Sequence, residues 1–388
     1  MPPTSPPQDT HGPSLPWLAT GFFLAGLGTA LLGPLLPFLA ASWHMTDARS
    51  GTLFLAKFLG AFLGGVTVSR QARNSIFLGT VFCFAGFGCF AFSEGVVSGS
   101  LSLLLGGYGL GQMIASTNIY AGKRYRNHTG SALAALNFFW ALGAVITGIL
   151  AGWCVPAYGL RTSLLVFAAL FVTVGLGGWF STARGAPASG VEVPLDQSLS
   201  GSTVLLFAAL LFLYGGLETC LTSWLPTFTL RFSDAQLLHG ESAVVLFWVA
   251  LTGGRLLASL LLRWFPEHLV ASGGVLLSML FTLALLFTHR ASAFSALCIL
   301  AGLALSPFFP GVWAVLMRRN PSSRLAGSIL AVSGLGAALF PWLMGVVSTA
   351  SESLRIAMLV PIALGFLLAI LTLTAKPTGE APANIVSS

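Results

Sequence analysis

Twelve times along the chain an apolar run of about twenty residues recurs, and most of the polar stretches between runs are only a few residues long. A helix needs about twenty consecutive apolar residues to cross the hydrocarbon of a bilayer. The runs cover 15–43, 49–69, 74–93, 97–122, 129–153 and 161–182. After a polar stretch, "RGAPASGVEVPLDQSLSG" at 184–201, they continue over 202–229, 241–262, 268–289, 291–317, 325–349 and 354–375. Connections this short make consecutive helices antiparallel. Only 7% of the residues are charged, where a soluble domain carries about 25%, too few to cover a water-facing surface. The expectation is an all-α membrane protein of twelve transmembrane helices. The first fourteen residues, "MPPTSPPQDTHGPS", lack the basic start of a secretory signal and are expected as a disordered tail, with a second tail at 376–388.

Lysine and arginine favour cytoplasmic loops. With both termini inside, the inner segments hold Arg70, Arg73, Lys123, Arg124, Arg126, Arg184, Arg255, Arg263, Arg318, Arg319, Arg324 and Lys376. The outer segments hold Arg49, Arg161, Arg231, Arg290 and Arg355, so the tally is twelve against five, with Lys57 left within a span. The net charge of +7 thus reports orientation and not a nucleic-acid partner. A multi-pass protein of a bacterial-type cytoplasmic (inner) membrane, both termini cytoplasmic, is expected.

The two halves repeat. "FFLAGLGTALLGPLLPF" (22–38) lies over "LFLYGGLETCLTSWLPT" (211–227) at a shift of 189 residues, with Gly26 on Gly215. The same shift lays Gly64-Gly65 on Gly253-Gly254, and a shift of 197 lays "GSALAALNFFWALGAVITG" (130–148) over "GSILAVSGLGAALFPWLMG" (327–345). Two pseudo-symmetric six-helix bundles, 15–183 and 202–375, joined by a cytoplasmic linker at 184–201, follow. This arrangement resembles the major facilitator superfamily, whose halves are parallel repeats with a site near the midplane. "LYGGLETCLTSWLPTF" (213–228), "GRLLASLLLRWFPEH" (254–268), "SPFFPGVWAVLMRRNPSSRLAGSIL" (306–330) and "GLGQMIASTN" (109–118) are similar to the fucose-permease-like sugar:proton symporter branch. The chain departs from that branch in two places. "GGVTVSRQAR" (64–73) lacks the acid usual in the signature after the second span, and the first and fourth spans lack carboxylates, so proton coupling does not carry over from those positions.

Ionisable groups inside a bilayer are rare and line bundle interiors or cavities. Two lie deep here, Glu218 and Lys57. Lys57 is eight residues from the outer end of its span near Arg49, and Glu218 is eleven residues before Thr229, roughly 12 and 16 Å at the helical rise. The resemblance implies that their spans approach each other, so a Lys57–Glu218 contact is an expectation, with Glu218 taking a proton or a substrate hydroxyl when released. The alternatives are a static clamp between halves or a lysine snorkelling along its helix.

A solute site needs polar groups for orientation and rings for packing. The spans that line the cavity in the superfamily offer Thr29, Gln112, Asn118, Tyr214, Trp224, Phe309 and Trp313 beside Glu218, and the fifth and eighth add Asn137, Trp140 and Trp248. Arg70, Arg73 and Arg255 are expected at an inner gate. Pro34, Pro37, Pro226, Pro307, Pro310 and Pro341 fall within spans and are expected to kink them. Gly107, Gly109 and Gly111 lie inside an apolar run, not after a strand, so close helix packing is expected of them and not a nucleotide fingerprint.

The five cysteines have no CxxC spacing and the histidines no metal-ligand spacing, so neither metal nor cofactor is expected. No serine–histidine, paired-carboxylate or HExxH constellation occurs in the spans, and no ATP-binding loop is present. The chain is expected to be no enzyme but a secondary transporter working by alternating access. Its expected cargo is a small polar solute, foremost a monosaccharide, with a proton or sodium as co-substrate and a monomer as the working unit. The alternatives are an organic-anion transporter or an efflux antiporter of the same fold, and beyond these a non-transporting sensor.

Overall fold

The computed structural model describes residues 15–68, 72–124, 129–182, 199–234, 240–261, 264–319, 321 and 323–374. The tails expected at 1–14 and 376–388, most of the expected linker, and Arg70 lie outside the described residues, as does the side chain of Arg73. Among the described residues the regular elements are fifteen helices. The first seven are α1 Leu15–Ala30, α2 Leu32–Ser42, α3 Asp47–Val66, α4 Ala72–Phe90, α5 Val96–Arg124, α6 Thr129–Tyr158 and α7 Leu160–Thr182. They are followed by α8 Gly201–Phe232, α9 Gly240–Leu261, α10 Glu267–Leu285, α11 Ala291–Leu305, α12 Phe308–Arg318, α13 Ser323–Ala350, α14 Leu354–Ala357 and α15 Leu359–Thr374. Among the described residues eight helical stretches are long and apolar enough to cross a membrane, and shorter apolar helices run over Asn74–Phe90 and Ala243–Arg255.

Fifteen helices arise from twelve apolar runs because three runs are interrupted, and one rule places all three interruptions. A proline ring clashes with the carbonyl four residues earlier and supplies no N–H to it. Pro34 acts in this way on Ala30, where α1 ends; Pro310 acts on Ser306, just past the end of α11; Pro361 acts on Ala357, where α14 ends. Pro226 and Pro341 remain inside continuous helices.

The chain divides into two compact units, Met1–Met45 with Thr52–Pro194 and Thr46–Gly51 with Leu195–Ser388. In the first, α3 and α5 approach through interleaved glycines. A Cβ on Gly60 would strike the Leu104 carbonyl and one on Gly64 the Tyr108 carbonyl. In return, one on Gly107 would strike the Lys57 carbonyl and one on Gly111 the Ala61 carbonyl. Small residues spaced four apart let two backbones touch, which is the role that Gly107 and Gly111 fill. Gly109 does the same against α4 at Gly79 and Cys83. Gly26 of α1 meets the Trp140 carbonyl of α6, and Gly143 of α6 meets the Phe23 carbonyl of α1. The second unit repeats this device, with Gly215 of α8 against the Ser333 carbonyl of α13 and Gly336 of α13 against the Phe212 carbonyl. The glycines aligned in the sequence repeat, Gly26 and Gly215, thus do equivalent work.

The second unit also holds the first turn of α3. Asp47 receives two parallel hydrogen bonds of 2.7 Å from Arg231, in the last turn of α8, and a third of 2.6 Å from Ser348 of α13. The Ala48 amide donates to Thr349 Oγ1 at 2.8 Å, which satisfies one orphan donor at the helix start. Burial works to raise the Asp47 carboxyl, but the hydrogen bonds from Arg231 and Ser348 and the Arg231 charge prevail, leaving it below its ordinary 3.8.

Candidate functional site

The carboxylate that looks misplaced in the sequence is met within its own unit. Glu218 sits one helical turn after Tyr214 on α8, and the Tyr214 hydroxyl donates to Glu218 Oε1 at 3.0 Å. Arg255 of α9 brings its Nη2 to 3.5 Å from the same oxygen. The pair is half-buried, with side chains 21% and 15% exposed for Arg255 and Glu218. Both contacts fall on Oε1. Oε2 has no partner among the described residues.

Two local features place Arg255 there. Gly254 packs so closely on Ser306 that a Cβ would strike its side chain, which draws α9 against the proline-made break between α11 and α12. That break in turn starts α12 at Phe308, so Phe309 and Trp313, four apart on one face, line up beside the arginine. The Arg255 guanidinium lies 5.9 Å from the centre of the Phe309 ring. Phe309 and Trp313 stack at 5.9 Å and 10°, and Tyr214 stacks on Phe308 at 4.8 Å and 13°. An acid, a cation and a wall of rings therefore converge in the second unit. Such an arrangement can hold a proton on the free carboxylate oxygen and an anion on the guanidinium.

The other residues singled out in the sequence are placed as follows. Lys57 is 1% exposed; its ammonium donates to the Thr29 carbonyl and lies 4.9 Å from the Phe58 ring centre. The Thr29 carbonyl stands next to the break that Pro34 makes in α1, and the Thr29 hydroxyl turns back to Ala25 at 2.7 Å. Within the second unit the cation beside Glu218 is Arg255. Gln112 is buried and donates to Thr67 at 3.0 Å and Tyr108 at 3.2 Å. Asn137 is half-buried and donates to Leu133 of its own helix at 2.9 Å. Asn118 is half-buried. Trp140 packs against the apolar cluster of Leu18, Ala19 and Phe22. Trp224 is fully buried with its indole N–H on the Pro341 carbonyl at 2.9 Å, and Trp248 is buried in α9.

Arg255, expected at an inner gate, falls inside the apolar run 241–262, seven residues before its end; what the sequence left unassigned is its contact with Glu218.

Fold and site together define a class, a multi-pass helical membrane protein with a polar, ring-lined site inside its bundle. The sequence profile of the Major Facilitator Superfamily matches residues 18–333, and the chain belongs to that family. Its members are transporters of small molecules and not enzymes. Over 164 residues the chain is 27% identical to a 4-hydroxybenzoate transporter of Acinetobacter baylyi, a match covering 40% of this chain and 34% of that protein. It is 21% identical over 351 residues, 84% of this chain and 86% of the relative, to a protein of Bacillus subtilis named for niacin/nicotinamide transport. Among solved structures, the fucose:proton symporter of Escherichia coli superposes with a TM-score of 0.64 at 17% identity, covering 94% of this chain and 98% of that one. A bacterial homologue of the human lysosomal transporter Spinster gives 0.78 at 15%, covering 93% and 96%. At these identities the structural likeness is one of fold.

Proposed function

We propose that the chain is a proton-coupled symporter of a small organic acid, with Glu218 as the proton-carrying group and Arg255 as the anion-binding group. The observation that carries this reading is the cation beside Glu218. A sugar site calls for amides around the carboxylate, whereas the partners of Glu218 are a guanidinium and a phenol, backed by stacked rings. The amides expected to bind a monosaccharide, Gln112, Asn118 and Asn137, lie in the first unit, and two of them are engaged there. Two relatives are named for 4-hydroxybenzoate and for niacin/nicotinamide; 4-hydroxybenzoate and niacin are planar rings bearing a carboxylate, which supports the same cargo class. Phe309 and Trp313 supply the surface for the ring. Lys57, pinned to the Thr29 carbonyl at the α1–α2 break, serves as a gating charge of the first unit. The chain works as a monomer in a bacterial-type cytoplasmic membrane with both termini inside, driven by the proton gradient.

The test is uptake into proteoliposomes with an inwardly directed proton gradient, using labelled 4-hydroxybenzoate, nicotinate and fucose. Accumulation of an acid, abolished by Glu218→Gln, is the expected result. Accumulation of fucose with neither acid transported would overturn the reading.

A further inference from the structure

Of the three arginine–carboxylate pairs described in the second unit, the two that involve Asp47 and Glu218 differ in a way that bears on coupling. Arg231 and Asp47 are saturated: two bonds of 2.7 Å, with Ser348 on the acid as well. Arg255 and Glu218 touch through a single contact of 3.5 Å. The Nε of Arg255 is buried and has no partner among the described residues, and neither has the buried Thr252 hydroxyl, one turn earlier on the same helix. A buried donor without an acceptor is an unfavourable state that an incoming acceptor relieves. The pair is therefore built to be exchanged, not to be kept.

We propose that Arg255 trades one carboxylate for another. The carboxylate of the cargo takes the guanidinium, with the Nε edge and Thr252 as donors. Glu218 is displaced and binds a proton as it leaves, and the loaded carrier moves one anion and one proton with no net charge. The stoichiometry follows from charge balance. One guanidinium in a poorly solvated site neutralises one carboxylate, and a second ionised carboxylate beside it is disfavoured, so Glu218 goes neutral when the cargo binds. The free Oε2 is where the proton arrives. On release the steps reverse: the cargo leaves as the anion, Glu218 gives up its proton, and the carboxylate returns to Arg255. This inference rests on the organic-acid reading and adds to it that transport is electrically silent.

The experiment uses the intact protein in proteoliposomes with labelled nicotinate and 4-hydroxybenzoate as probes. Counterflow without any gradient reports binding and exchange. Imposed pH gradients and potassium diffusion potentials are then applied separately. In the wild type, a pH gradient of one unit should give about tenfold accumulation, and a potential of either sign should give none. A carrier moving one net charge would respond about tenfold per 60 mV. Glu218→Gln should keep counterflow, lose its response to pH, and become sensitive to potential, favouring an inside-positive interior, because it carries the anion alone. Counterflow of an acid together with a tenfold response of the wild type to potential would overturn the electrically silent exchange while leaving the cargo class standing. Counterflow of fucose and of neither acid would overturn the cargo class itself.

Discussion

A single carboxylate in an apolar helix is the residue on which the transport reading turns, and its meaning depends on its neighbours. Glu218 was conspicuous in the sequence because no other formal charge lies between Thr203 and Leu230. Its arginine was legible as an inner-gate candidate, but a positive charge toward the inner end of a span does not reveal which carboxylate it will meet. The tryptophans separate in the same way. Trp224, buried with its N–H bonded to Pro341, should tolerate Trp224→Phe with uptake retained and about 2–3 kcal/mol of stability lost, from the cavity left by the smaller ring together with the missing hydrogen bond. Trp313, half-buried and stacked on Phe309, should behave oppositely: Trp313→Ala should weaken apparent affinity severalfold with little change in melting temperature. Uptake kinetics and thermal melts on the two variants check both halves. Hydrophobicity alone does not distinguish such residues, since a ring packed in the core and a ring facing a cargo are drawn from the same alphabet.

At the scale of the helix, period and length were legible and continuity was only partly so. The prolines announced kinks, and interruptions fall four residues before two of those expected, Pro34 and Pro310, and before Pro361, which was not singled out in the sequence. Pro226 and Pro341, equally visible, leave their helices whole, so the sequence marks where a break is allowed and packing decides whether it opens. The break before Pro310 is the one tied to the site, since it starts α12 beside Arg255. Pro310→Ala restores an N–H for the Ser306 carbonyl and removes a clash worth up to about 3 kcal/mol. The protein should therefore melt at a higher temperature while its transport falls at least severalfold, as Phe309 and Trp313 lose their placement. A variant with raised stability and unchanged uptake would separate the break from the function.

For the molecule as a whole, a repeat was legible in glycines in register, and one aligned pair, Gly26 and Gly215, does a common job. What no pattern in the sequence indicated is that α3 begins in one unit and continues in the other, because the attachment depends on Asp47, Arg231 and Ser348, which are far apart in the chain. The Asp47 carboxyl is held below its ordinary value, so the stability it contributes is fully present above pH 3.8 and is lost as the pH falls through the lowered value. The difference in melting temperature between wild type and Asp47→Asn should accordingly stay constant from neutral pH down to about 5 and shrink only below about 4, a comparison that thermal melts across that range will make. The glycine contacts have a consequence for how this chain can evolve. Where backbone rests on backbone, as at Gly26, Gly143, Gly107, Gly111 and Gly336, there is no side chain to repack around a newcomer, and even one added methyl group must push two helices apart. Substitutions on outward-facing surfaces meet no such obstacle, while these few positions have no room for a larger amino acid.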